Sequence, residues 1–171
     1  ITISHLGYIK RTPLAEYRIQ NRGGVGAKGS TTREEDFIQH IYVANMHSTM
    51  LFFTQKGKCF WLKVYEIPEG TKASKGRAIQ NVLNIDPDDK VKAYINVGKL
   101  NDDEYINSNF IILATKRGVV KKTSLEAYSR PSTNGVNAIT IRENDELLEA
   151  VLTNGKCEIL LTARGGKCVG F

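Results

Sequence analysis

Long apolar runs are absent from this sequence, and cysteine and histidine are scarce. No run approaches the roughly 18 apolar residues that a membrane-spanning helix needs, which excludes a transmembrane protein. The cysteines form no CxxC pair, and their spacing to the histidines is not that of zinc ligands. We therefore expect reduced thiols in an intracellular protein, without disulfides or a metal site. The residues concerned are Cys59, Cys157, Cys168, His5, His40 and His47.

The common catalytic and nucleotide-binding motifs are also missing. The sequence has no HExxH, no GxxxxGK(S/T) phosphate loop and no local pattern of a Ser-His-Asp triad. The acidic pairs Asp88-Asp89 and Asp102-Asp103 fall in expected loops, where we predict solvated turn residues. The sequence thus predicts no catalytic residue, no metal site and no cofactor in this chain.

The overall composition is that of a soluble globular protein. Hydrophobic residues make up 41% and charged residues 25% of the 171 residues, which argues against disorder. The opening residues alternate between apolar and polar types and do not resemble a signal peptide. Because this opening has the pattern of a strand interior, we expect the chain to be a fragment of something larger.

The positive charge is concentrated near the start of the chain. Residues 1–33 carry +5 of the formal net charge of +6, and residues 34–171 are close to neutral. A localised positive field is typical of a surface that meets an anionic partner such as nucleic acid. The basic residues of this segment are Lys10, Arg11, Arg18, Arg22, Lys28 and Arg33, and its one acidic residue is Glu16.

Within this basic segment, residues 20–29 read QNRGGVGAKG. Glycines leave the backbone bare and able to approach a ligand closely, and a neighbouring arginine offers a planar cation. Gly24-x-Gly26-x-x-Gly29 also matches the dinucleotide fingerprint, but that motif requires a strand, a following helix and a parallel α/β sheet. The β-type repeats described next contradict such a sheet, so phosphate contact without a nucleotide cofactor is the favoured interpretation.

A repeated hairpin pattern organises the whole chain. Two apolar-containing runs flank a short segment with Ser or Thr, two further residues and a glycine, and the aligned glycines are Gly7, Gly57, Gly118 and Gly165. A glycine-led stretch and then an acid-led strand follow in phase, at Gly24, Gly76 and Gly135 and at Asp36, Asp89 and Asp145. We predict about four strands per repeat, with approximate repeats at 1–48, 49–108 and 109–155 and a partial one at 156–171.

Four-stranded units of this size favour a radial, propeller-like all-β fold without a long helix. One such sheet cannot cover both of its faces, so neighbouring sheets must pack against each other. Three runs are apolar throughout, as expected of strands buried on both faces. They are residues 50–53, 110–113 and 159–161. The predicted domain is a single partial ring spanning residues 1–171, with about three blades and part of a fourth.

Basic residues recur at the predicted hairpin tips, which a radial repeat places at one rim. A stripe of cations is the footprint expected for tracking a nucleic-acid backbone. The aromatic residues sit mostly at strand positions, so duplex phosphate is favoured over stacked single strands. The alternative is a protein-interaction propeller that its cations only solubilise. The set is Lys56, Lys58, Lys116, Arg117, Arg164 and Lys167, with Lys10 and Arg11 beyond the first tip and Lys121 and Lys122 after the third.

Residues 20–26 and their flanks resemble the C-terminal domain of the bacterial DNA gyrase A protein, and the resemblance extends over essentially the whole chain. The segment QNRGGVG is similar to the gyrase A-box, usually written Q-(R/K)-R-G-G-(R/K)-G. The flanking segments GYIK, EEDFI, KVYEIP and KKT, starting at residues 7, 34, 63 and 121, are further similarities. Asn21 and Val25 depart from the box at two usually cationic positions, which keeps the related topoisomerase IV domain open as an alternative.

The resemblance implies a β-pinwheel, usually of six blades, that wraps duplex DNA around a basic rim. The parent enzyme would use ATP and Mg²⁺ at sites outside this chain, and its other partners would be the rest of the gyrase A protein and the gyrase B protein, in an A₂B₂ complex. It also implies a location in the bacterial cytoplasm, at the nucleoid. Within the box region the implied DNA contacts are Arg18, Gln20, Arg22, Gly23, Gly24, Gly26, Lys28 and Arg33.

Overall fold

The computed structural model describes residues 1–17 and 36–171, and this part of the chain is all-β, as predicted. The strands are β1 (Thr2–Ser4), β2 (Tyr8–Lys10), β3 (Ile38–Ile41), β4 (Thr49–Thr54), β5 (Lys58–Lys63), β6 (Arg77–Ala78), β7 (Val91–Val97), β8 (Phe110–Thr115), β9 (Val120–Ser124), β10 (Val136–Asn137), β11 (Leu147–Thr153), β12 (Leu160–Thr162) and β13 (Cys168–Gly170). One-turn 3₁₀ helices span Leu14–Glu16, Val64–Glu66, Ile79–Asn81 and Leu125–Tyr128.

A single short α-helix, α1 (Asp103–Ser108), occurs among the described residues. The Asp102 side chain accepts a hydrogen bond from the Tyr105 backbone N–H at 3.1 Å and so caps the helix. The prediction of a loop for Asp102-Asp103 was therefore wrong at Asp103, which begins the helix. No helix in the part of the chain that the structure describes is long and apolar enough to span a bilayer.

The strands form antiparallel sheets that exchange strands between repeats. The first sheet has the order β3-β1-β2-β6, and the second has the order β10-β5-β4-β7. The outer strands β6 and β10 each belong to the repeat that follows their sheet in sequence. The third sheet, β11-β8-β9, and the pair β12-β13 complete the described part. The sheets therefore do not coincide with the predicted repeat boundaries, which remain a division of the sequence only.

Each of the first three hairpins turns through the predicted glycine. Gly7, Gly57 and Gly118 have φ values of 85°, 86° and 85°, a conformation that disfavours any residue with a Cβ. Each glycine N–H donates to the carbonyl oxygen three residues earlier, at 3.0 Å. The Ser or Thr at that earlier position also accepts a hydrogen bond from the N–H that follows the turn. These bonds are Tyr8 N to Ser4 Oγ at 3.1 Å, Lys58 N to Thr54 Oγ1 at 3.1 Å and Val119 N to Thr115 Oγ1 at 3.0 Å.

The fourth hairpin is shifted by one residue from its predicted register. Gly166, rather than Gly165, has the positive φ of 79° and donates its N–H to Ala163 O at 2.9 Å. Ala163 thus takes the position that Ser or Thr occupies in the other hairpins, and it has no hydroxyl to cap the turn. The pairing of Thr162 with Cys168 fixes this register. The alignment on Thr162 and Gly165 was wrong because the sequence offers two adjacent glycines.

The central sheet is covered on both faces, as the run at 50–53 predicted. Along β4, Met50 and Phe52 point into a core shared with the first sheet, and Leu51 and Phe53 point into a core shared with the third. All four side chains are fully buried. Alternate residues of one strand therefore join three successive sheets into a stack.

The other two apolar runs are covered less completely. Ile111 and Leu113 of β8 are fully buried in the core between the second and third sheets, whereas Phe110 and Ile112 are half-buried. In β12, Leu160 is 69% exposed and its neighbours Ile159 and Leu161 are half-buried. The prediction that residues 159–161 are buried on both faces is therefore wrong, because in the described part of the chain neither β12 nor β13 contributes a side chain to the two cores.

Candidate nucleic-acid interface

The gyrase A-box region lies outside the described residues. Arg18, Gln20, Arg22, Gly23, Gly24, Gly26, Lys28 and Arg33 fall between residues 18 and 35 and remain predicted phosphate contacts. The other ten predicted contacts lie within the described ranges, and the structure gives each of them a specific environment.

Each of the first three hairpin tips is held by an aspartate that lies just before a later strand of the same repeat. Its Oδ1 accepts the backbone N–H of the residue before the turn glycine and also the N–H of the residue after itself. The first distances are 2.9 Å for Asp36 with Leu6, 3.1 Å for Asp89 with Lys56 and 3.0 Å for Asp145 with Arg117. The distances to the N–H of the residue that follows each aspartate are 3.0 Å for Phe37, 2.9 Å for Lys90 and 2.9 Å for Glu146. These hydrogen bonds fasten the backbone of all three tips, of which the second and third carry the cations.

The environment of these aspartates has two consequences. Asp89 is only 3% exposed, so its predicted role as a solvated turn residue was wrong. Burial would raise the pKa of Asp36, but hydrogen bonds from the Ser4 hydroxyl and from two backbone amides lower it below its ordinary value. Burial would also raise the pKa of Asp145. Hydrogen bonds from the Thr115 hydroxyl and two backbone amides, together with the Arg117 charge, outweigh burial and lower this pKa below its ordinary value. Both carboxylates are therefore ionised at neutral pH.

Three of the cations at the second and third hairpin tips are paired with acidic side chains. Lys56 forms a salt bridge with Asp88, Lys58 lies 3.6 Å from Asp86 and Lys116 lies 3.5 Å from Glu146. The hydrogen bond with Asp88 raises the pKa of Lys56. Such exposed pairs contribute little stability and exchange readily for other ions. The cations of the second and third tips are therefore mostly ion-paired and do not form a free positive field.

Lys10 does not lie at an exposed rim. The residue is 1% exposed, and its Nζ donates to the backbone carbonyl oxygens of Thr71, Lys72 and Ser74 at 2.9, 2.9 and 2.7 Å. Burial lowers the pKa of this ammonium, and the nearby Glu16 carboxylate partly offsets that effect. The structure thus gives Lys10 a structural role in place of the predicted phosphate contact.

Arg11 is also engaged within the protein. Its Nε donates to Ile67 O at 2.8 Å, and its guanidinium forms a salt bridge with Glu69 at 2.7 Å. Lys10, the last residue of β2, and Arg11, which follows it, therefore both fasten the chain that precedes β6. Arg11 binds residues 67 and 69, and Lys10 binds the carbonyls of residues 71, 72 and 74.

The remaining predicted contacts are exposed. Lys121 donates its Nζ to Ala138 O at 2.7 Å, and the Lys122 Nζ lies 4.4 Å from the centre of the Phe110 ring. The side chain of Arg117 is exposed at the third tip. Arg164 and Lys167 are exposed at the fourth hairpin. These side chains do not converge on one point; they follow successive hairpins, as expected for contact with an extended polymer.

Sequence reasoning missed the loop between residues 70 and 77. It carries Lys72, Lys75 and Arg77 with no acidic residue, and its last residue, Arg77, begins the exchanged strand β6. Its in-phase position was visible, because Gly76 corresponds to Gly24 of the box region in the repeat alignment. The sequence did not predict that β6 pairs with β2, and this pairing places the loop on the edge of the first sheet.

The described part of the chain shows no candidate metal site. Across residues 1–17 and 36–171, no three His, Cys, Asp or Glu side chains are grouped so that they could hold a metal ion.

A family model described as "DNA gyrase C-terminal domain, beta-propeller" matches residues 1–45, 48–93 and 109–154. The chain belongs to the DNA gyrase C-terminal domain family. The full 171 residues also align with the DNA gyrase A proteins of Aeromonas salmonicida, at 42% identity, and of Halalkalibacterium halodurans, at 42%. The chain spans 18% and 20% of those two relatives, so it corresponds to about a fifth of their length.

Solved structures of gyrase-type C-terminal domains have the same fold. The C-terminal domain of DNA topoisomerase IV gives a TM-score of 0.79 at 26% identity, over 99% of this chain and 50% of that one. The DNA gyrase A C-terminal domain gives a TM-score of 0.70 at 18% identity, over 99% of this chain and 52% of that one. These likenesses support the β-pinwheel fold, and the sequence relatives reported above are DNA gyrase A proteins.

Proposed function

We propose that this chain binds duplex DNA and wraps it around the edge of its blades, as the non-catalytic C-terminal domain of a DNA gyrase A protein. The observation that carries the proposal is the alignment of all 171 residues with gyrase A proteins at about two-fifths identity. The local charge supports it, because residues 1–33 hold +5 of the net charge of +6. A polyanion as regular as DNA is the partner that fits cations spread along successive blades.

Wrapping would act by fixing the path of the DNA. Aspartate-held hairpins and packed blades form a stiff body, so a duplex that follows their edge must bend. A bent duplex of fixed handedness presents a crossing of one sign to the rest of the enzyme. Strand passage elsewhere in the parent protein would turn that crossing into negative supercoils, with ATP and Mg²⁺ used at sites outside this chain.

Phosphate contacts carry no base code, so we expect little sequence specificity. The expected partners besides duplex DNA are the rest of the gyrase A protein and a gyrase B protein, in an A₂B₂ complex. The expected location is the bacterial cytoplasm, in association with the nucleoid.

A topological experiment tests the proposal directly. The complete protein that contains this chain is bound to nicked circular DNA, the nick is sealed, and the linking number is measured after the protein is removed. Wrapping of positive sense predicts a linking number that rises with the amount of bound protein. In the double variant Arg22→Ala/Lys28→Ala we expect this shift to be strongly reduced.

The matched control is Lys99→Ala/Lys156→Ala, which removes the same charge at exposed positions outside the hairpin tips and the box. We expect the control to keep the wild-type shift. The log-log dependence of wild-type affinity on salt should have a slope on the order of −5 if about six phosphates are neutralised. An unchanged linking number with salt-independent binding would instead favour the protein-interaction propeller. Duplex binding without fixed positive writhe would favour a topoisomerase IV-type role.

A further inference from the structure

The loop of residues 70–77 combines a concentrated charge with a fixed backbone. Lys72, Lys75 and Arg77 lie within six residues that contain no acid. Lys75 and Arg77 are exposed, and no carboxylate of the described residues forms a salt bridge with either. The cations at the second hairpin tip differ in this respect, because Lys56 and Lys58 already have aspartate partners.

The backbone of this loop is held from beneath by a buried charge. The three N–H groups of the Lys10 ammonium are directed at the carbonyl oxygens of Thr71, Lys72 and Ser74. Ser74 closes the turn, since its N–H and its hydroxyl both donate to Thr71 O, at 3.0 and 2.9 Å. Gly70 N donates to Arg11 O at 3.0 Å and fastens the start of the loop.

One side of the loop already accommodates an anionic group. The Glu16 carboxylate accepts the Lys72 backbone N–H at 3.1 Å, and the Lys72 Nζ lies 4.5 Å from the centre of the Tyr17 ring. Because its carbonyls face Lys10, the charged groups that the loop exposes to its surroundings are the side chains of Lys75 and Arg77. A preformed cationic loop loses little conformational entropy when it binds an anion.

The position of the loop suits contact with a long polyanion. Its last residue begins β6, which is the strand of the first sheet furthest from β3 and therefore an edge strand. In the repeat alignment Gly76 occupies the place of Gly24, so the loop corresponds to the residues that lead into the box glycines, which include Arg18 and Arg22. The corresponding residues before Gly135 include one cation, Arg130, which is 3.8 Å from Glu126.

We propose that the loop of residues 70–77 is a second phosphate-binding loop for duplex DNA, in which Lys72, Lys75 and Arg77 are the contacts and Lys10 is the residue that positions them. This inference rests on the proposed function, and it adds a site on the second repeat. The loop belongs in sequence to one repeat and is fastened to the sheet of the previous one, so the duplex contacts it at the junction between two blades.

The test is the salt dependence of duplex affinity for the complete protein that contains this chain. Each lost phosphate contact lowers the magnitude of the log-log salt slope by about 0.9. We expect the double variant Lys75→Gln/Arg77→Gln to lower it by about 1.8 and to weaken binding at low salt. The matched control is Lys99→Gln/Lys156→Gln, which removes the same charge elsewhere and should keep the wild-type slope.

The outcomes separate this inference from the function on which it rests. Wild-type protein without salt-dependent duplex binding contradicts the proposed function. Salt-dependent wild-type binding with an unchanged slope in the loop variant contradicts the loop assignment alone. Equal losses of slope in the loop variant and the control also overturn it, because they indicate a diffuse field rather than a site. Thermal unfolding of each variant is measured to check that it is folded.

Discussion

At the scale of single residues, the same side-chain type has opposite roles in this protein. Lys10 is a buried ammonium with three backbone carbonyls as partners, whereas Lys75 is exposed without a carboxylate partner in the described residues. Residue type and spacing predicted Lys10 as a surface cation and gave no role to Lys75. The difference could not be read from the sequence, because the partners of Lys10 lie more than 60 residues away and are backbone atoms of a loop.

Replacing Lys10 by methionine keeps most of the buried aliphatic volume and removes the ammonium. Three carbonyl oxygens then lose a charged donor, and a buried unsatisfied polar group costs about 1–3 kcal/mol. We expect Lys10→Met to lower the free energy of unfolding by about 2–4 kcal/mol, because loop relaxation returns some of the carbonyls to water. Urea denaturation measures this loss.

The control for this substitution is Lys90→Met, at an exposed lysine of the same size. It should change the free energy of unfolding by no more than about 0.5 kcal/mol. If Lys10→Met proved as stable as the control, the three hydrogen bonds would not hold the loop, and the positioning role of Lys10 would be lost with them.

At the scale of elements, the hairpin is the unit that sequence predicted best. A Ser or Thr, a positive-φ glycine and a distant aspartate recur around each of the first three turns, and each contributes a hydrogen bond that local chemistry explains. The fourth hairpin was misaligned because Thr162 and Gly165 satisfy the same pattern one residue too early. Short strands such as β6 were not predicted as parts of the preceding sheet, because two residues carry no periodicity.

The hydroxyl cap can be tested at the third hairpin. Thr115→Val removes the Oγ1 that accepts the Val119 N–H at 3.0 Å, in a side chain that is buried. The N–H of Val119 then loses its side-chain acceptor, so we expect a loss of about 1–2 kcal/mol in the free energy of unfolding. Thr162→Val is the matched control, since the exposed Thr162 only resembles a cap in sequence, and it should be nearly neutral. Equal effects of the two substitutions would contradict the cap.

At the scale of the whole molecule, strand exchange joins blades that the repeats alone would leave independent. The run at 50–53 predicted a sheet covered on both faces, because continuous apolar character requires it, and the structure agrees. Whether a strand pairs with the sheet of the preceding repeat depends on the length of the loop before it and on contacts that form only on folding. The Trp61 indole N–H, for example, donates to Tyr128 O at 2.9 Å and links the second sheet to the following repeat.

Alanine substitutions at two positive-φ glycines can distinguish the contribution of strand exchange to stability from that of turn geometry. Gly135 has a φ of 72° and leads into the exchanged β10, where an added Cβ would lie 2.8 Å from the Phe60 ring. Gly118 has a φ of 85° at a hairpin tip, with no atom within 4 Å of an added Cβ. We expect Gly118→Ala to cost about 1 kcal/mol from backbone strain alone. Gly135→Ala should cost about 2–4 kcal/mol, because displacement of β10 from the second sheet adds overpacking.

Two probes of unfolding decide whether this loss is shared between blades. Fluorescence of Trp61, the one tryptophan of the chain, reports on the second sheet, and far-UV circular dichroism reports on all sheets. If exchanged strands couple the blades, both probes should shift to the same lower denaturant midpoint in Gly135→Ala. Separation of the two transitions in the wild-type protein would show that the blades unfold independently. If Gly135→Ala lowers the free energy of unfolding no more than Gly118→Ala does, β10 is not the element that couples the blades.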